Sequence, residues 1–128
     1  MKPLTAEWVA KAEADRHAAA QLVNAEPVPW DVVCFLAQQC AEKYLKAHLH
    51  EASVAFPKTH DLAVLLALIA APPAALCAMR SDLDALSGLA VNVRYPGHNA
   101  TEQIGMQALA TADKVRGISR TMISLSPT

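Results

Sequence analysis

The sequence predicts an all-α protein, an antiparallel bundle of four to five helices with up-and-down topology. Three observations carry that prediction. Alanine supplies roughly a fifth of the chain, apolar residues recur at steps of three and four, and the 4 Gly and 8 Pro residues gather at a few breaks. With 128 residues, 53% of them apolar, the chain is long enough to bury one core, and residues 1–128 are expected to form a single helical domain.

The first predicted helix runs from Thr5 to Asn24, with Thr5 as its expected cap. Trp8, Ala12, Asp15, Ala19 and Leu22 fall along one of its stripes, and Asp15 is the charged exception among them. The second helix, Trp30 to about Glu51, begins after Pro27 and Pro29. Val33, Leu36, Ala37, Cys40 and Tyr44 occupy one side and Leu45 and Leu49 another, as expected of a helix surrounded by others.

A third helix opens after Pro57 with Thr59 as the expected N-cap, turns Leu62, Leu65, Leu66 and Ile69 inward, and stops at Pro72 and Pro73. The fourth carries Leu76, Met79, Leu83, Leu86, Ala90 and Val93 as a packing seam that halts at Arg94-Tyr95-Pro96-Gly97. The fifth is expected to open at Asn99, with Glu102 three residues on as in a capping box, and to continue through Ile104, Ala108, Thr111, Val115, Ile118 and Met122. Short connections between long helices favour antiparallel neighbours.

Composition removes several function classes. A net charge of −1 argues against a protein that coats nucleic acid by charge alone. The longest nearly uncharged stretch, Leu62 to Met79, is interrupted by Pro72 and Pro73 and fails as a membrane span of about 20 residues. Met1 to Trp8 lacks the apolar core of a secretory signal, so a soluble cytoplasmic protein is expected. Cys34, Cys40 and Cys77 include no CxxC pair and sit among apolar neighbours, so neither zinc nor a disulfide frame is expected. There is no GxxxxGK[ST], GxGxxG or GxSxG sequence, and no metal or cofactor is expected.

Two groupings carry candidate chemistry. Gln39, Lys43, Lys46 and His50 recur at steps of four, three and four, which places them in one stripe of the second helix. That stripe suits the edge of a phosphate or base groove, a dimer rim, or a solvated face. Arg94 and His98 bracket the Pro-Gly turn. An imidazole there is suited to take the proton of a ribose 2′-hydroxyl and a guanidinium to stabilise charge on the phosphate, without a metal. The bland alternatives are a helix-capping Arg94 or one paired with Asp15, and a His98 on the loop surface. His60 precedes Asp61 at a helix start, where Asp61 suits the positive end of the dipole. His17 and His48 lack partners at metal spacing.

Three segments in order, Phe35-Leu36-Ala37-Gln38-Gln39-Cys40-Ala41-Glu42-Lys43-Tyr44-Leu45-Lys46-Ala47, Lys58-Thr59-His60-Asp61-Leu62 and Arg94-Tyr95-Pro96-Gly97, resemble the HEPN domain (higher eukaryotes and prokaryotes nucleotide-binding). Ala12 and Asp15, and Ala100-Thr101-Glu102, extend the resemblance over nearly the whole chain. It implies a helical bundle, a homodimer, and a small nucleotidyltransferase as partner in a prokaryotic toxin and antitoxin pair. Family members that cut RNA separate Arg from His by a longer gap than the three residues between Arg94 and His98, and their motif continues helically where Pro96 and Gly97 stand. The chain instead resembles the branch with RYP at this place.

For that branch the resemblance implies ligand-binding roles for Gln39, Lys43, Lys46, His60, Arg94 and Tyr95, with Asp15 as a counter-charge in a structural polar network. The expected function is a non-catalytic module that binds a nucleotide or a nucleotidyltransferase, with RNA as a further candidate partner. The alternatives are a metal-independent endoribonuclease with Arg94 and His98 as catalytic residues across a dimer, and a purely structural interaction module.

Overall fold

The computed structural model describes residues 1–128 and contains helices and no strand. The elements are α1 (Pro3–Leu22), α2 (Trp30–Glu51), α3 (Leu62–Ala67), α4 (Ala74–Cys77), α5 (Arg80–Asn92) and α6 (Glu102–Met122). The helical class and the up-and-down arrangement are as the sequence predicts. No helix is long and apolar enough to cross a membrane.

α2 is the centre, packed against α1, α3, α5 and α6. Contacts between side chains fix the directions. Thr5 near the start of α1 donates its hydroxyl to Glu51 at the end of α2, 2.8 Å away, so these two helices are antiparallel. Trp30 at the start of α2 lies against Gly105 near the start of α6, and Tyr44 meets Arg120 farther along, so α2 and α6 run in the same direction. α5 returns antiparallel to both, because Phe35 of α2 meets Arg94 just past the end of α5.

The core is built where the apolar stripes converge. Tyr44, Leu45 and Leu49 of α2, Leu62 and Leu65 of α3, Leu76 of α4, Leu83 of α5 and Val115 of α6 are all fully buried. Each such leucine contributes about 2 kcal/mol by leaving water. Gly105 is required by the closeness of α2 and α6: a Cβ there would stand 2.3 Å from a Trp30 ring carbon.

Five boundaries differ from expectation. α3 ends at Ala67, five residues before Pro72, so Ile69 is buried from the turn that follows the helix. α1 begins at Pro3, whose fixed φ suits a first turn, so Thr5 lies inside the helix with its hydroxyl spent on Glu51. Asp61, not Thr59, caps α3: its carboxylate accepts the N–H groups of Ala63 and Val64, while Thr59 accepts that of Asp61. The fourth seam is split by a turn into α4 and α5, which gives six helices in place of four to five. α6 is capped by Thr101, which accepts the N–H of Ile104 at 3.2 Å, and Asn99 stays outside.

Candidate functional site

The basic stripe predicted on α2 is taken apart by packing. Lys43 forms a 2.5 Å ion pair with Asp15 of α1, each side chain about four-fifths covered. Asp15 therefore holds Lys43 and not Arg94. Lys46 is buried, 3.0 Å from Glu42 and flanked by the rings of Trp8 and Phe56 at 5.6 and 5.8 Å. A desolvated ammonium with one carboxylate and two aromatic faces is fully engaged. Neither lysine lines the cleft described below. Gln39 does.

That cleft, about 100 Å³, lies between α2, the segment before α3, and the end of α5. Phe35, Gln38, Gln39, His60, Ser87 and Arg94 form most of its lining. Each is positioned for a local reason. Gln38 and Gln39 follow Phe35 at i+3 and i+4 on α2, one turn on and on the same side. His60 ends the irregular stretch after α2, and Gln38 fixes it there by donating to the His60 carbonyl at 2.7 Å. Arg94 follows the last turn of α5, where the backbone N–H groups of Arg94 and Tyr95 still bond to Val91 and Asn92. Gly97, at φ 92°, then turns the chain away in a conformation that disfavours a side chain.

A buried carboxylate organises one wall. Glu42, only 3% exposed, accepts from His60 Nδ1 at 2.8 Å, from Gln38 at 3.2 Å and from Lys46 at 3.0 Å. With Nδ1–H donated to Glu42, the His60 ring is fixed in orientation and presents Nε2 outward, and its side chain is 75% exposed. Arg94 supplies the other wall. Its guanidinium lies 5.6 Å from the centre of the Phe35 ring and pairs with no carboxylate. A cation resting on an aromatic face, with its N–H groups uncommitted, is suited to an anionic ligand.

The structure thus brings Arg94, His60 and Gln39 together and leaves the other expected site residues outside. Tyr95 is exposed beyond the cleft, and His98 sits on the exposed turn and does not line it. The imidazole beside Arg94 is His60.

Sequence reasoning missed Phe35, Gln38 and Glu42. The i, i+4 steps Gln38, Glu42, Lys46 along an otherwise apolar side were the available signal, since polar groups placed there must satisfy one another. It also missed a cluster at the junction of α1, α2 and α6. Arg116 clasps Glu13 through two bonds of 2.7 and 2.8 Å, Tyr44 donates to Glu13, and Arg120 donates to Tyr44 at 3.1 Å. Arg116, with help from Tyr44 and Arg120, holds the Glu13 carboxyl down to about 2 against the effect of burial.

Burial pushes the Cys34 and Cys40 thiols up to about 11 and 12, which makes both poor nucleophiles. No group of His, Cys, Asp and Glu is arranged to hold a metal ion.

Neither a curated protein nor a solved structure matches the chain. The family model for the HEPN domain matches residues 5–122, which takes in all six helices but for the first two residues of α1, and the whole cleft. The chain belongs to the HEPN domain family.

Proposed function

We propose that this HEPN domain is a nucleotide-binding module whose phosphate site is the Arg94 cleft. The observation that carries this reading is the uncommitted Arg94 guanidinium on the Phe35 ring, facing the same small cleft as His60 and Gln39. A cleft of about 100 Å³ suits a phosphate group and leaves the rest of the ligand outside. Arg94 supplies paired donors and permanent charge, Gln39 an amide, and His60 a ring held by Glu42. Pairing with a second copy or with a nucleotidyltransferase, as in a toxin and antitoxin system, extends this reading. Its support is family membership and the exposed apolar residues Val32, Val91 and Tyr95 around the cleft.

The test is a thermal-shift titration with ATP. The nucleotide is expected to raise the melting temperature of the wild type and not that of Arg94→Ala, whose own melting temperature stays close to wild type because Arg94 is exposed. Equal shifts in both proteins would overturn the assignment. Lys46→Ala does not serve this purpose, since it strips Glu42 of a buried partner and destabilises the fold.

One contact favours a second reading, a metal-independent ribonuclease. The Glu42 to His60 bond of 2.8 Å orients an exposed imidazole nitrogen, so His60, not His98, would take the proton of a ribose 2′-hydroxyl beside Arg94. Cleavage of end-labelled RNA in excess EDTA, lost in His60→Ala and retained in His98→Ala, would establish it. Intact RNA after incubation with folded wild-type protein would dismiss it.

A further inference from the structure

Phe35 and Arg94 line two adjoining hollows. On one side is the polar cleft with Gln39 and His60. On the other is a hollow of about 340 Å³ lined by Asp31, Val32, Phe35, Val93 and Arg94. Val32, Phe35 and Val93 are its apolar lining, and Asp31 is its one acid. Asp31 stands in the first turn of α2, where the helix dipole favours a carboxylate. Its Oδ1 accepts the Ala100 N–H at 2.6 Å, which anchors the side chain, while Oδ2 bonds to nothing in the structure.

The two sides sort the parts of a nucleotide by charge. A phosphate is repelled by Asp31 and attracted to Arg94 on the His60 side. A flat base finds the apolar side chains of Val32, Phe35 and Val93 on the Asp31 side, and a carboxylate there selects a base that offers N–H donors. Guanine presents two adjacent donors, N1–H and the 2-amino group, which match a carboxylate. Adenine presents a ring nitrogen lone pair beside its single amino group, which sets an acceptor against Asp31.

We propose that the two hollows take the two ends of one guanine nucleotide, with the phosphate on Arg94, Gln39 and His60 and the base read by Asp31. The proposal rests on the nucleotide reading above and adds the identity of the base. The selectivity comes from Asp31 accepting two donors at once, one on the idle Oδ2 and one on the second lone pair of Oδ1 beside the Ala100 N–H, a pairing that discriminates between bases by about tenfold or more.

The experiment compares the dissociation constants of GMP, IMP and AMP for wild type, Asp31→Asn and Arg94→Ala by calorimetric titration. Asparagine keeps an oxygen for the Ala100 N–H, and an unchanged melting temperature confirms that the variant is folded. Wild type is expected to bind GMP about tenfold or more tighter than AMP, with IMP, which lacks the 2-amino group, between them. Asp31→Asn is expected to lose the preference, and Arg94→Ala to weaken all three nucleotides alike. Equal binding of GMP and AMP by wild type, or a GMP preference that survives in Asp31→Asn, would overturn the base assignment while leaving the phosphate site standing. Failure of the wild type to bind any of the three would overturn both.

Discussion

The two sides of α2 use similar residues for opposite ends. Toward α1 and α6, Glu13, Tyr44, Arg116 and Arg120 close on one another, and Arg116 has both a carboxylate fork and the Pro127 carbonyl as partners. Toward α3 and α5, Arg94 rests on Phe35 with no carboxylate, and His60 gives one nitrogen to Glu42 and leaves the other in solvent. An arginine each of whose three nitrogens already donates to a partner fixes the register of helices. One whose donors are idle at the mouth of a cleft is available to a ligand. The difference is in the neighbours and not in the residue type.

The sharpest way to break the comparison is at its closed side. Glu13→Ala leaves the largely covered Arg116 guanidinium without its fork and is expected to cost about 2 to 3 kcal/mol by chemical denaturation, with nucleotide affinity of the folded protein unchanged. A loss of affinity at constant stability would merge the two regions into one site. Gly105→Ala drives a methyl into Trp30 and is expected to cost about 1 to 3 kcal/mol in the same assay, again without altering the cleft.

Acid should act on the same closed side. The folded-state Glu13 carboxyl is depressed to about 2 from an ordinary 4.5, so its contribution is fully present above 4.5 and is lost as pH falls toward 2. Burial lowers the His48 imidazole below its ordinary 6.5, so the folded state also loses ground as pH falls below that value. Melting temperature measured from pH 7 down to pH 2 is expected to fall in both ranges. Glu13→Gln should flatten the lower one, and an unchanged lower limb would deny Glu13 its role.

The open side predicts smaller effects on stability. Arg94→Ala is expected to change stability by less than about 0.5 kcal/mol while removing nucleotide binding. His98→Ala, on the exposed turn, is expected to alter neither stability nor binding. A binding defect in His98→Ala equal to that of Arg94→Ala would restore His98 to the site.

The helices were legible in the sequence because apolar spacing and proline breaks act locally, and Leu62, Leu65, Leu66 and Leu83 fell where their periodicity placed them. Caps were less legible. Thr59, Asp61, Asn99 and Thr101 are all competent acceptors, and only the backbone path decides which one faces the helix end. The lining of the candidate cleft was half legible. Gln39, His60 and Arg94 were named from pattern and resemblance, yet Lys43 and Lys46 carried the same pattern into an ion pair with Asp15 and a cage of Glu42, Trp8 and Phe56. Spacing on one helix says which residues share a face. It does not say what the neighbouring helix brings to meet them.

The most direct test of the account is a titration of isotope-labelled protein with GMP, followed by NMR. The account predicts shifts centred on the side-chain amide of Gln39, the ring of His60 and the guanidinium of Arg94, with the signals of Lys43 and Arg116 unmoved. Shifts confined to the α1 and α6 junction, or none at saturating nucleotide, would contradict it.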